Sequence, residues 1–236
     1  MKKERFFLVG MLAIALVFGL TVSGCGGDGF DPESRIADVP AITALSSTYR
    51  NYTPITADDN LEEVLEFITD EIGVLAEGVS IPGGFLNIQA LSSNARYVIN
   101  EDLSDYFSAT GLKIKGRING NIDETKGTGK VSVNFDADIS DIYSYSDKSV
   151  VQGNIKGSGS VNMTQSGGSA SFSYTCALIF AIKDGAYKNK YVRCVADVSM
   201  KVNISTESGE INADVWVYGD KNTSLKHDSI REKFPK

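Results

Sequence analysis

From Leu112 to Val217 apolar residues recur at every second position, in six runs separated by short polar segments. The first run sets Leu112, Ile114, Ile118 and Ile122 against Lys113, Lys115, Arg117, Asn119 and Asn121. Five more follow over residues 131–139, 151–163, 170–182, 192–204 and 211–217. A period of two with one apolar side is the pattern of strands that bury one face of an antiparallel sheet. Glu124–Gly127, Gln165–Gly168 and Thr206–Gly209 read as hairpin connections, so the expected topology is a six-stranded meander in chain order.

Upstream the period is helical. Between Thr56 and Glu77 the residues Leu61, Val64, Leu65, Ile68, Ile72 and Leu75 recur three or four apart. Glu62, Glu63, Glu66, Asp70 and Glu71 are assigned to the solvated side. The expectation is one amphipathic helix over 58–77, ended by Gly78. Residues 79–107 are broken at Pro82-Gly83-Gly84. A short helix carrying Ala95, Val98 and Ile99 is expected after Ser92 or Ser93, with another helical turn over Asn100–Phe107. The predicted fold class is α+β, mainly β: a curved antiparallel sheet packed by its N-terminal helix, within a single domain over 58–236.

Before the helix, Gly26 to Ala57 is rich in Gly, Asp, Ser, Thr and Pro without sustained periodicity, and reads as a flexible tether. Its end-to-end distance would be roughly 30 Å. Tyr49 and Tyr52 are expected to pack back onto the domain. At the N-terminus, Met1-Lys2-Lys3-Glu4-Arg5 precedes an apolar run from Phe6 to Val22 that closes on Val22-Ser23-Gly24-Cys25. This stretch resembles the signal peptide of bacterial lipoproteins, with residues 1–24 removed. The resemblance implies that Cys25 becomes the acylated first residue and anchors residues 25–57 and the domain to a membrane, because several acyl chains hold far better than one. Gly26, where an Asp would favour inner-membrane retention, points to the outer membrane in a Gram-negative envelope.

The whole chain carries a formal charge of −7, and loss of residues 1–24, with Lys2, Lys3 and Arg5 against Glu4, takes it to −9. Such a body does not suit nucleic acid or electrostatic docking on anionic lipid. Cys176 and Cys194 remain after acylation. In an exported chain they suggest a disulfide, and folding the sheet at Asp184-Gly185-Ala186 sets them opposite each other. Buried free thiols are the alternative. The same procedure, folding at Ser166-Gly167, sets Val161 against Phe172 and Gly159 against Tyr174.

The apolar sheet face is expected to be filled by the helix. Left open, Phe135, Tyr174, Phe180 and Met200 would line a site for lipid or another hydrophobic ligand. On the opposite face Ile179, Tyr191, Val195, Trp216 and Tyr218 have the parity of otherwise polar positions. They call for a cover, residues 79–107 or the C-terminal tail, or else for a protein partner. No catalytic apparatus, metal site or cofactor site is recognisable. His227 is the only histidine and has no neighbouring Cys or second His, so neither a histidine relay nor a histidine-rich metal site is expected. Asp136, Asp138 and Asp141 lack the glycine turn of a calcium loop. The reading is a non-enzymatic, lipid-anchored envelope protein that binds a protein partner or contributes to envelope structure. A carrier of lipid is the alternative.

Overall fold

The computed structural model describes residues 30–78, 96–102, 109–123, 125–206 and 208–234. The signal region, Cys25 and residues 79–95 and 103–108 lie outside them. Strands β2 (Arg96–Asp102), β3 (Leu112–Asp123), β4 (Thr128–Ile139), β5 (Ser149–Thr164), β6 (Gly167–Ile182), β7 (Lys190–Asn203), β8 (Ser208–Tyr218) and β9 (Lys226–Phe234) form one open antiparallel sheet. Its spatial order is the chain order. Two helices, α1 (Pro32–Ile36) and α2 (Leu61–Gly78), and a two-residue strand, β1 (Thr53–Pro54), complete the described elements, with one 3-10 turn at Ile42–Ala44.

The protein is thus mainly β, with eight strands in the antiparallel path where the apolar pattern predicts six. β3 to β8 are the six expected runs. β2 occupies residues expected to be helical, since Arg96–Asp102 pairs with Arg117–Asp123 of β3. The β-branched Val98 and Ile99 suit a strand. At the other edge β9 pairs with β8, His227 opposite Trp216 and Ser229 opposite Asp214. Its charged sequence, Lys226-His-Asp-Ser-Ile-Arg-Glu-Lys-Phe234, lacks the alternation that marks a buried strand and suits an edge.

One sheet face and α2 share a single core. Val64, Leu65, Ile68, Ile72 and Leu75 of the helix are buried with Phe180, Val192, Cys194, Val215 and Val217 of the strands. Glu62, Glu63, Glu66 and Asp70 are exposed. Glu71 is not on the solvated side to which it was assigned: it is 1% exposed. Ser146 Oγ donates to it at 3.0 Å and Tyr145 Oη at 3.1 Å, and Ser149 Oγ donates as well. Three hydroxyl donors satisfy a carboxylate that burial would otherwise leave at high cost. Burial, and after it the neighbouring Glu71 charge, raises the Tyr145 phenol well above its usual range.

The opposite, outer face has a second core. Ile36, Val39 and Leu45 are buried there with Ala177, Ile179, Ala181, Tyr191, Val195 and Tyr218. Residues 30–55 are therefore not a free tether. α1 is capped by Asp31, whose Oδ1 accepts from Glu33 N at 3.0 Å, and opens on Pro32, a residue suited to the first helical turn. Tyr49 and Tyr52 pack on this second core, edge to face with centroids 5.6 Å apart. β1 then runs parallel to β7, Thr53 beside Lys190 and Pro54 beside Tyr191. It takes a position that β8 leaves free, since the β7–β8 register ends at Arg193 and Tyr218.

Two registers differ from the sequence reading by two residues. The β5–β6 hairpin turns at Gln165-Ser166, so Gly159 faces Phe172 and Gly157 faces Tyr174. The β6–β7 connection runs from Lys183 to Asn189, which sets Cys176 opposite Ala196 and Cys194 opposite Leu178. The two cysteines are diagonal neighbours, both buried and both free. Diagonal partners on one face lie roughly 7–8 Å apart, beyond the usual reach of a disulfide. The expected bridge is thus replaced by two thiols packed as small apolar groups. Burial pushes the Cys176 thiol up to about 12, and Cys194 is raised well above 9.0.

Candidate functional site

The four side chains expected to line an apolar cup belong to the α2-side core. Phe180 is fully buried and meets Phe67 of α2 edge-on, with centroids 6.5 Å apart. Phe135 and Met200 are buried as well, and Tyr174 packs against the same core. Phe135 and Tyr174 flank Gly157, where an added Cβ would lie 2.6 Å from the Phe135 ring and 2.7 Å from Tyr174 Cβ. The glycine is required because the aromatic ring occupies the space a side chain would take. Tyr174's phenol is raised far above its usual range by burial. Phe180 lies in the part of this core packed by α2, whereas Tyr174, like Val131, Val133, Ile155, Val202 and Ile211, is only partly buried.

The five outer-face residues expected to be covered or to bind a partner divide. Ile179, Tyr191, Val195 and Tyr218 are buried beneath residues 36–52, so they are not a free surface. The cover comes from the segment read as tether. Burial, and then the acceptor Asp220 Oδ1 at 2.9 Å, pushes the Tyr191 phenol up to about 12. Trp216 is half-buried at the margin, stacked at 4.6 Å and 4° on His227 and 5.4 Å from Phe30.

Two buried arginines fasten the cover. Arg35 of α1 pairs with Asp38 and donates to Asn154 Oδ1 on β5 at 3.0 Å. Arg193 on β7 donates to Asp220 O at 3.1 Å, Asn222 Oδ1 at 2.9 Å and Ile36 O at 3.4 Å. Asn154 Nδ2 in turn donates to both Asp136 and Asp138, the carboxylates weighed as a calcium site, while Asp141 accepts from Ser46 N at 2.6 Å. These acids are spent on hydrogen bonds that hold strands and cover together. The Nε atoms of Arg35 and Arg193 are buried without an acceptor, a local cost of about 1–3 kcal/mol each.

Beyond the cover, the outer face is a field of small polar side chains. Across β4 to β8 one row reads Asn134, Ser158, Ser173, Ser199 and Asn212, and the next reads Ser132, Ser160, Ser171, Lys201 and Glu210. A groove of about 550 Å³ lies over Ser160, Ser171, Lys201, Glu210 and Lys233. A smaller one of about 330 Å³ lies beside Asp136, Lys156, Thr175 and Asp197.

β9 brings His227 and Ser229 beside Asp214 of β8. His227 Nε2 is 3.1 Å from Asp214 Oδ1 and 3.4 Å from Ser229 Oγ, and Ser229 Oγ donates to the same Asp214 oxygen. A nucleophilic relay needs the acid on one ring nitrogen and the hydroxyl on the other. Here both lie on Nε2 and the hydroxyl is bonded to the acid, so the trio does not form that relay. Only recognition of the charged β9 as a strand would have shown the cluster in advance. Compared with protein-family models, with curated proteins and with solved structures, the chain matches none.

Proposed function

We propose that the protein is a non-enzymatic, lipid-anchored component of the cell envelope, acting through a protein partner or as part of envelope structure. One observation carries this reading: Cys25 follows Val22-Ser23-Gly24 at the end of an apolar run that begins after a basic start. In this reading Cys25 is the acylated residue, and Gly26 directs the protein to the outer membrane of a Gram-negative cell. A polar partner would meet the uncovered Ser and Asn rows, because the Ile179 and Val195 patch is occupied by the chain's own N-terminal segment. A net charge of −9 after cleavage leaves nucleic acid an unsuitable partner.

The test is metabolic labelling with radioactive palmitate followed by membrane fractionation, on the native chain and on Cys25→Ala. Label and membrane association that vanish together in Cys25→Ala are the expected result. An unlabelled native chain refutes the reading. The partial burial of Val131, Val133, Ile155, Val202 and Ile211 favours a second reading, a carrier of a hydrophobic ligand. A lipid adduct in the native mass spectrum of residues 26–236, lost in Val133→Asp with the fold intact, would put the carrier first.

A further inference from the structure

A lipid on Cys25 and a docked α1 together fix how the domain stands on the membrane. Phe30 is already packed against Trp216, and α1 follows at Pro32, held by Arg35 to Asn154. Only Gly26, Gly27, Asp28 and Gly29 separate Cys25 from Phe30. Five Cα steps span at most about 18 Å. A free tether from Gly26 to Ala57 would give roughly 30 Å.

We infer that the Phe30–Trp216–His227 corner of the sheet faces the headgroup layer of the bilayer, and that β2 is the edge farthest from it. This inference rests on acylation of Cys25. Phe30 and Trp216 lie at the β8–β9 side, and β2 is six strands from β8 in the sheet order. At about 4.8 Å per strand that is roughly 29 Å. Trp216 is partly buried there, and His227 stacked on it is exposed. A tryptophan at the margin of a core suits a membrane interface. Asp31 and Glu33 flank the corner, so attraction to anionic lipid does not hold it down; the short leash does.

Trp216 is the only tryptophan, which makes it a built-in donor for energy transfer. The full-length acylated protein is reconstituted into phosphatidylethanolamine–phosphatidylglycerol vesicles containing phosphatidylethanolamine dansylated on its headgroup. Acylation is first confirmed by intact mass. Two altered proteins are compared, both checked for folding by circular dichroism. One carries a 30-residue Gly/Ser insertion after Gly27, lengthening the leash to roughly 33 Å; the other moves the donor to the exposed β2 position by Trp216→Phe with Asn100→Trp. Transfer from the native chain should exceed that from either by about threefold or more, since it falls at about the fourth power of height above a plane of acceptors and the native leash reaches at most about 18 Å. Equal transfer in the native and long-leash proteins overturns the held corner, and equal transfer from positions 216 and 100 overturns the orientation. Acylation stands in both cases. A mass without lipid overturns the anchoring reading, and the inference with it.

Discussion

Gly159 and Phe172 provide the sharpest test of the sheet register. They are cross-strand neighbours on β5 and β6, and a Cβ built on Gly159 would lie 2.0 Å from Phe172 Cδ1 and 2.4 Å from Cε1. Carbon atoms settle at about 3.5–4.0 Å, so the ring must move by roughly 1.5 Å. Phe172 is buried in the α2-side core, and such a shift displaces its neighbours. Overpacking of this kind costs about 1–3 kcal/mol, offset by about 0.5–1 kcal/mol because alanine loses less backbone entropy in a strand than glycine. The expected net loss for Gly159→Ala is about 1–2 kcal/mol, or roughly 3–6 °C in Tm for a domain of this size. In a Phe172→Leu background the ring is gone, and the same substitution should cost less than about 0.5 kcal/mol, a coupling of about 1 kcal/mol. Urea unfolding followed by Trp216 emission and far-ultraviolet circular dichroism measures all four corners of the cycle. Ser160→Ala on the outer face serves as control, with an expected effect within about 0.5 kcal/mol. Equal costs in the two backgrounds would refute the contact and, with it, the register that turns at Gln165-Ser166.

The cysteines offer a second check on register. With Cys25 removed, Cys176 and Cys194 should resist a thiol reagent in the native protein, since burial keeps both protonated, and give two free thiols in denaturant without reductant. No free thiol under those conditions would mean a bridge and would overturn the diagonal placement. Asp59 offers a pH test. Burial raises its pKa, but hydrogen bonds from Lys190 and Thr56 together with the Lys190 charge outweigh that and hold it below 3.8. A depressed folded pKa contributes stability that is present above the unfolded value and lost as pH falls through the folded one. Asp59→Asn should therefore unfold more readily than the native chain at neutral pH, and the two urea midpoints should converge below about pH 4. A gap that persists at low pH would refute the pairing.

The face of each central strand was readable from the sequence, and the register was not. Parity decides which side Phe172 and Cys176 occupy, and a slip of two residues preserves parity. Nothing in Gln165-Ser-Gly-Gly168 or Lys183–Asn189 selects one turn position over the next by apolar pattern alone, so both registers moved by two and the disulfide went with them. The edge strands escaped for another reason. β9 buries little, and its charged sequence records the demands of an exposed edge. The outer-face patch was legible as a surface in need of cover, but its cover was not. Val39, Leu45, Tyr49 and Tyr52 pack from irregular backbone and Ile36 from a five-residue helix, too short for a period to be read. Glu71 did leave a signal. Val64, Ile68, Glu71 and Leu75 follow helical spacing, and the acid sits in the middle of the buried stripe.

The parallel pairing of β1 with β7 ties the order of synthesis to the order of folding. A chain made and delivered N-terminus first presents Ile36, Val39 and Leu45 long before the surface that receives them exists. Their site needs β6, β7 and Tyr218 at the end of β8, all from the last third of the chain. The hairpins β3 to β6 can close in sequence as they arrive, each on its immediate predecessor. The first residues of the domain must wait for nearly the last, exposed and unpaired. Contacts of such long separation carry the largest loop-closure cost and form slowly. The cover is the step at which the finished sheet is recognised by its own beginning, and a chain stopped before β8 would be left with both of its partners in that contact exposed.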